Sequence, residues 1–500
     1  MTFDPQPPSR SRLARHTLWN LVGMCAPMAV ALFAIPLLIE GLGKERFGLL
    51  SLVWMLVGYF SVFDLGLGRA LTKLIAEKID RQPHEVAATF WTAMTLMLGL
   101  GILGGVLVYS IAPWLAHSAL NIDPALQPET LRSFRAVAWG LPVLITVTGL
   151  VGTLEACHRF PLVNIIRVPT GAFTFIGPLL VLPFSRDLYA VVLVLLAGRI
   201  VEWLLFFTAC LRTVPGLRDA WRFNRAEAPH LLGFGGWMTI SNIVQPLMIH
   251  IDRFLIGALR SVAEVAFYVT PAEIVVKLLI LPRAWVSVLF PTFAAEFKDR
   301  PESTSALFAQ SVRLLLVLLF PVVLLLIAFA PEGLTLWLGA EFGERSAPVM
   351  RWLTAGVFLY SLAFVPTSLL QGTGRPDLTA KLHAVELPLY LAAAALLITR
   401  FGIVGAAAAW VLRAAIDIAG TAWMAARRAP GSGASLLRVG KATAVALALL
   451  AAIAWQDGLL TRIAASAVVL AGYLLGCWRW LFSDEDRRIV RKRIPGLRAS

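Results

Sequence analysis

Long apolar segments separated by short polar loops run along nearly the whole chain. Fourteen of them occur within the 500 residues, near 17–42, 46–66, 85–113, 132–156, 160–184, 187–212, 231–257, 262–291, 307–330, 347–371, 377–400, 402–427, 436–455 and 459–482. A helix needs about 20 mostly apolar residues to cross a hydrocarbon core of about 30 Å. The pattern therefore predicts a polytopic membrane protein with about fourteen spans.

The predicted spans are helices and not the strands of a barrel. Lipid offers backbone groups no hydrogen-bond partners, so only helices and closed barrels can cross it. Barrel strands alternate apolar and polar side chains, whereas these segments are continuously apolar in a chain with 58% hydrophobic and 15% charged residues. The expected fold class is all-α integral membrane. Turns at 41–46 and 400–402 separate segments that almost touch.

Basic residues in the short loops predict the orientation in the membrane. The clusters assigned to the cytoplasmic side are Arg10, Arg12 and Arg15; Arg69, Lys73, Lys78 and Arg81; Arg212, Arg218, Arg222 and Arg225; Arg427, Arg428, Arg438 and Lys441; and Arg487, Arg488, Arg491, Lys492 and Arg493. The opposite loops are poorer in Lys and Arg, and residues 114–130 contain neither. Both termini are therefore predicted to be cytoplasmic, which requires an even number of spans.

The formal charge of +14 is explained by this topology. A nucleic-acid partner would require a soluble basic domain, and we expect none. Residues 1–16 have no apolar core of a signal peptide and are expected to form a cytoplasmic tail, and the basic tail 483–500 is expected to lie against anionic lipid headgroups. The four cysteines, Cys25, Cys157, Cys210 and Cys477, are scattered and indicate neither a disulfide framework nor a metal site.

Four pairs of features recur at an interval of 214–216 residues. They are Gly41 and Gly257; the stretches 154–159 (LEACHR) and 370–375 (LQGTGR); Arg199 with Glu202 and Arg413 with Asp417; and Pro215-Gly216 and Pro430-Gly431. One such pair would be chance, but four at nearly one interval predict an internal repeat.

The repeat predicts two parallel six-helix lobes, 17–216 and 233–431, related by a pseudo-twofold axis along the membrane normal. A cytoplasmic linker, 217–232, joins them, and residues 432–482 form an extra helical hairpin. Two parallel lobes around a central cavity are typical of transporters that rock about a binding site.

Several stretches resemble one known family. They are 63–77 (FDLGLGRALTKLIAE), 251–257 (IDRFLIG), 372–383 (GTGRPDLTAKLH) and 402–410 (GIVGAAAAW). They resemble polysaccharide biosynthesis proteins, the oligosaccharide flippases of the multidrug/oligosaccharidyl-lipid/polysaccharide (MOP) superfamily, which have a MATE-like fold. The resemblance implies translocation of an undecaprenyl-pyrophosphate-linked glycan across the bacterial inner membrane by alternating access. Polysaccharide polymerases or glycosyltransferases are the protein partners expected of such a flippase.

Cationic side chains inside the segments are candidates for binding the pyrophosphate. A charged group at mid-bilayer costs at least about 2.5–3.5 kcal/mol, so it should face protein or water. Arginine binds phosphate with a planar fork of donors, and lysine binds it as a point charge. The substrate-binding candidates are Lys277, Arg283, Arg253 and Arg199.

Each of these cations also has a structural interpretation. Lys277 can be neutralised by Glu273 one helical turn away, and Arg283 can extend its charge to the interface. The Arg199–Glu202 and Arg413–Asp417 pairs can hold each lobe together, and Arg253 with Asp252 can anchor the seventh segment at the interface. The sequence leaves both interpretations open.

Acidic side chains are candidates for coupling transport to H⁺ or Na⁺, because burial can bring the pKa of a carboxyl group into the working range. These candidates are Glu273, Asp252, Asp64 and Glu155; His250 is a packed polar residue or a proton carrier. We expect no organic cofactor and no resident metal.

Two other functional classes compete with a glycan flippase. A multidrug or cation antiporter of the same superfamily would share the helical plan, but its cavity should be acidic or aromatic. A membrane-embedded glycosyltransferase or polymerase would carry catalytic carboxylates in a long external loop, and the longest such loop here spans only residues 114–131. We therefore predict a transporter and not an enzyme.

Overall fold

The structure is a computed structural model. It describes residues 27–60, 64–79, 81–214, 216–218, 221, 223–225, 227–229, 247–296, 301–429 and 432–482. The predicted tails 1–16 and 483–500, part of the linker 217–232, and Cys25 lie outside the described residues.

Every regular element in the described part of the chain is a helix. The helices are α1 (Pro27–Leu42), α2 (Lys44–Phe60), α3 (Leu67–Lys78), α4 (Pro83–Trp114), α5 (Gln127–Ala156), α6 (Phe160–Val181), α7 (Leu188–Thr213), α8 (247–259), α9 (Val262–Val276), α10 (Ile280–Glu296), α11 (Pro301–Ala328), α12 (Ala330–Leu338), α13 (Ala340–Gly372), α14 (Pro376–Arg428), α15 (Gly433–Ala454) and α16 (Leu459–Gly476). A short 3₁₀ segment, Lys277–Leu279, joins α9 to α10.

Ten helices of the described residues are long and apolar enough to cross a membrane. The prediction of an all-α, multi-pass membrane protein is confirmed. Helix α14 accounts for two of the predicted segments, 377–400 and 402–427. The described parts of the first, second and seventh segments are shorter than a full span, so the count of fourteen stays a prediction.

The first compact unit is Met1–Ala266. Its central helix is α5, which packs against α2, α3, α4, α6 and α7. Apolar side chains from five of these helices meet in one buried cluster that includes Leu71, Phe90, Leu150 and Phe206. Burial of such side chains is what positions the polar groups of this unit.

The second compact unit is Phe267–Ser500. Its central helix is α13, which packs against α10, α11, α12 and α14. The hairpin of α15 and α16 packs on α11, where the ring of Tyr473 stacks on Phe320 with centroids 3.7 Å apart. The buried Arg462 of α16 also pairs with Glu332 of α12.

The two central helices end in the same way. Helix α5 ends at Ala156 and α13 ends at Gly372, and the next helices start at Phe160 and Pro376, so both boundaries differ by 216 residues. The amide of Arg159 donates to the carbonyl of Leu154 at 2.8 Å, and the amide of Arg375 donates to Leu370 at 2.9 Å. The predicted repeat is therefore visible as a shared turn, whereas the symmetry of whole lobes stays a prediction.

Helix α14 contains a sharp turn at Gly402, where φ is 62° and ψ is −141°. This backbone conformation is essentially restricted to glycine. A side chain at Gly405 would lie 2.0 Å from the carbonyl oxygen of Leu397, so the two arms of α14 leave the turn in close contact. The turn predicted at 400–402 is confirmed, and the arms 376–401 and 403–428 form a helical hairpin.

Candidate functional site

Lys277 occupies the 3₁₀ segment between α9 and α10, which interrupts the eighth predicted span. Its Nζ lies 3.7 Å from Oε2 of Glu273, and the two side chains remain 41% and 28% exposed. The structure thus brings together two predicted site residues. An exposed ion pair in an apolar span requires water or protein around it, because lipid does not solvate charge.

Two other predicted substrate-binding cations differ in exposure. Arg283 of α10 is exposed. Arg253 of α8 is buried, as is its neighbour Asp252, whose Oδ1 accepts a hydrogen bond from the amide of Arg253 at 2.8 Å. Lys277 and Arg283 belong to the second unit, whereas Asp252 and Arg253 belong to the first.

Arg199 of α7 belongs to a closed polar group inside the first unit. Its Nη1 donates to Oε2 of Glu202 at 2.7 Å, and its Nη2 donates to the Thr174 hydroxyl of α6 at 3.4 Å. The hydroxyl of Thr170, also on α6, donates to the other oxygen of Glu202 at 3.2 Å. One cation, one anion and two hydroxyls therefore satisfy each other across the α6–α7 contact, which favours the structural interpretation of this pair.

Asp64 has a local structural role. Its carboxylate accepts hydrogen bonds from the amides of Gly66 and Gly68 at 2.8 and 3.0 Å, and from the Thr148 hydroxyl at 2.9 Å. It therefore caps the first turn of α3 and ties that turn to α5. Three donors from the start of α3 and from α5 explain the burial of Asp64 structurally, which makes it a weaker candidate for ion coupling than the sequence suggested.

Glu155, the fourth predicted acid, lies near the end of α5. Its Oε1 is 3.6 Å from Nη2 of Arg167 on α6, and both side chains are partly exposed. Exposed ion pairs of this kind stabilise a protein by at most about 1 kcal/mol. The structure therefore gives Glu155 a local partner on the neighbouring helix.

A second polar group was missed by the sequence analysis. His383 and Glu386 lie one turn apart on the first arm of α14, and Asp417 lies on the second arm. All three are buried, and their imidazole and carboxylate atoms lie within 4.8 Å of one another. Nε2 of His383 is 3.6 Å from Oδ1 of Asp417. We call these three residues the α14 acid cluster.

The turn at Gly402 assembles this cluster. Glu386 precedes Gly402 by 16 residues and Asp417 follows it by 15, so the two carboxyl groups reach the same height on the two arms. Arg413, one turn before Asp417, is buried with its guanidinium carbon 4.9 Å from the ring centre of Tyr360 and 5.0 Å from that of Trp410. Such cation–π contacts stabilise a desolvated arginine. In the sequence, this cluster could have been found from the predicted turn at 400–402 and from the spacing of the charged residues in the two segments.

The chain is similar to known proteins of one family. The family described as polysaccharide biosynthesis protein matches residues 42–347, more than half of the chain. This chain belongs to the polysaccharide biosynthesis protein family. The resemblance found in the motifs of the sequence is confirmed.

One relative aligns along nearly its whole length. A Shigella flexneri protein, named as a candidate O-antigen transporter, is 28% identical over 420 residues, which are 83% of this chain and 98% of the relative. Two solved structures share the fold. An inward-facing multidrug resistance MATE family transporter of the MOP superfamily has a TM-score of 0.68 at 16% identity, covering 84% of this chain and 98% of its own. The lipid II flippase MurJ in an inward closed conformation has a TM-score of 0.68 at 11% identity, covering 93% and 99%.

These likenesses confirm the MATE-like fold of this polysaccharide biosynthesis protein. The relatives are named as transporters and flippases, in agreement with the predicted transporter class. The roles of the predicted site residues remain predictions.

Proposed function

We propose that this protein is a lipid-linked oligosaccharide flippase that moves an undecaprenyl-pyrophosphate-linked glycan across the bacterial inner membrane by alternating access. The observation that carries the proposal is the alignment with the Shigella flexneri protein that is named as a candidate O-antigen transporter, over 98% of that protein. A shared fold alone would serve drugs or cations equally well, so the relative named for a glycan is what selects the substrate class.

The chemistry of the eighth span supports an anionic substrate. Lys277 and Arg283 keep exposed cationic side chains within an apolar segment that runs from Val262 to Ser287. A pyrophosphate carries several charged oxygens, and each hydrogen bond to a charged group is worth about 1.5–3 kcal/mol. Water beside these cations would permit the polar headgroup to pass while the polyprenyl tail remains in lipid. Arg253 of the first unit stays a predicted substrate contact, whereas the hydrogen bonds of Arg199 to Glu202 and Thr174 favour its structural role.

The same proposal includes the surroundings of the protein. Both termini face the cytoplasm, the chain contacts membrane lipids, and a polysaccharide polymerase or glycosyltransferase receives or supplies the glycan. Transport is coupled to H⁺ or Na⁺, for which the sequence offers Glu273, Asp252, Asp64 and Glu155.

The test is translocation in reconstituted vesicles. Purified protein in liposomes should move a polyprenyl-pyrophosphate glycan to the opposite leaflet, measured as the fraction of sugar that becomes accessible to a membrane-impermeant glycosidase. Lys277→Ala should slow this by about tenfold or more, because one charge-assisted contact to pyrophosphate is lost. Its melting temperature in detergent should match that of the wild-type protein.

Lys73→Ala is the matched control. Lys73 also forms an i, i+4 ion pair, with Glu77 at 3.8 Å, and is half exposed. Its loss should leave the rate unchanged. Equal rates for Lys277→Ala and wild-type protein would remove Lys277 from the substrate path. Export of cationic drugs without any movement of the glycan would favour the antiporter instead.

A further inference from the structure

No described residue donates a hydrogen bond to the buried carboxyl group of Glu386. The residue is 2% exposed, and both of its oxygens are buried with no hydrogen-bond partner among the described residues. Burying an unpaired ionised carboxylate costs far more than the few kcal/mol of an unsatisfied neutral polar group. Its burial therefore requires either a bound positive charge or a neutral, protonated acid.

Among the described residues, the positive charges around Glu386 do not neutralise the negative ones. Asp417 and Glu386 are two acids, and Arg413 is one permanent cation of the same hairpin. With a neutral His383 the group carries one uncompensated negative charge. Helix α13 contributes the phenol of Tyr360 beside Arg413, and α14 itself contributes Tyr390. Helix α15 packs near the C-terminal end of α14, around Ala425 and Ala429.

The corresponding position in the first unit carries a hydrogen-bond donor. Thr170 precedes Glu386 by 216 residues, the interval at which the central helices repeat. In the first unit its hydroxyl donates to Glu202. In the second unit a carboxyl group replaces that hydroxyl, and it can donate to Asp417 only when it carries a proton. Protonated Glu386 would thus reproduce the hydrogen bond of the first unit.

We propose that the α14 acid cluster binds one proton, held on Glu386 and shared with Asp417 and His383, and that this proton drives the glycan transport proposed above. The inference rests on that proposed function. On loading, a proton from water binds to a Glu386 oxygen, and the new O–H group donates a hydrogen bond to Asp417. On release, the O–H bond breaks and the proton passes to water through His383. With Arg413 counted, a divalent ion would leave the cluster with an excess positive charge, and Na⁺ prefers oxygen ligands to an imidazole nitrogen.

Protonation would control the conformation through solvation. Together with Arg413, the protonated cluster is neutral and can be buried between the arms of α14 and against α13. The ionised cluster has a net charge and is stable only where water reaches it. A conformation that hydrates the cluster is therefore favoured by deprotonation, and each conformation can be populated according to the pH on the side to which it opens.

The decisive experiment compares two driving conditions in the same vesicles. Translocation of the polyprenyl-pyrophosphate glycan is measured with and without an imposed pH gradient, and a pH-sensitive dye in the lumen reports proton movement. In the wild-type protein the gradient should accelerate translocation at least about fivefold, with matching proton flux. Glu386→Gln should lose both the acceleration and the flux. Glu344→Gln, at an exposed acid of α13, is the control and should retain them.

A direct measurement keeps the proposal testable if a variant fails to insert. Infrared difference spectra of detergent-solubilised wild-type protein between acidic and alkaline pH should contain a protonated-carboxyl band that Glu386→Gln removes and that His383→Gln shifts. A band that survives in Glu386→Gln would overturn the assignment, as would acceleration by a Na⁺ gradient alone or stoichiometric retention of Zn²⁺ or Mn²⁺. Wild-type protein that shows the band but moves no glycan would refute the flippase and leave the proton site standing.

Discussion

The polar groups of the two units occupy corresponding places in the sequence but differ in their charge balance. In the first unit, Arg199 and Glu202 neutralise each other and two threonines of α6 complete their hydrogen bonds. In the second unit, the corresponding pair is Arg413 and Asp417, and the facing arm carries Glu386 and His383. Glu386 and His383 of the second unit stand 216 residues after Thr170 and Arg167 of the first.

This difference shows how a duplicated scaffold can divide structural and functional roles. A hydroxyl donates a hydrogen bond at every physiological pH, so the first unit holds one arrangement. A carboxyl group donates only when protonated, so the same position in the second unit becomes dependent on protons. Replacing one donor by an acid is enough to convert a packing contact into a titratable one.

Thr170→Glu should have the largest effect, because it would give the first unit the acid of the second. Arg199 would then face two carboxylates, and one would be left without a partner near the buried Glu202. We expect a loss of stability on the order of 3 kcal/mol at neutral pH, measured as a lower melting temperature that recovers as the pH falls. The control, Thr170→Val, loses one hydrogen bond and about 1 kcal/mol. A melting temperature of Thr170→Glu that matches the control at neutral pH would contradict the charge argument.

Gly402→Ala should have an intermediate effect. The positive-φ conformation at this turn costs an alanine about 1–3 kcal/mol, and relaxing it would separate the arms that carry Glu386 and Asp417. Thermal unfolding should therefore shift to lower temperature, and the infrared carboxyl band should broaden or shift. Gly472→Ala of α16, where an added side chain meets nothing within 4 Å, should change neither. If both alanine variants behave alike, the turn does not determine the cluster.

Glu386→Thr should have the smallest effect on stability, in the opposite direction. It gives the second unit the hydroxyl found in the first, so Asp417 gains a permanent donor and the unpaired acid disappears. We expect unchanged stability or a gain of about 0.5–1 kcal/mol, with a melting temperature that no longer depends on pH between mildly acidic and mildly alkaline buffers. A destabilised Glu386→Thr would show that the carboxyl group has a structural partner.

The predicted functional residues illustrate the limits of sequence analysis. Lys277 and Glu273 were paired correctly, because residues four apart on a helix lie on one face. Asp64 was proposed for ion coupling, yet its three donors come from the first turn of α3 and from Thr148 on α5, 84 positions away. Local spacing identifies partners on one helix, but it does not identify a donor that another helix supplies.

The sequence by itself determined that the protein lies in a membrane, that it is all-helical and that it turns at Gly402. These follow from the length of the apolar runs and from the backbone freedom of glycine. It also revealed the repeated Arg and acid of the two units. Only the tertiary structure decided that His383 and Glu386 meet Asp417. Both arms of α14 are apolar on most sides, so periodicity does not reveal which face of each arm turns inward. That rotation is set by the packing of α14 against itself and α13, and it determines which charges share a buried site.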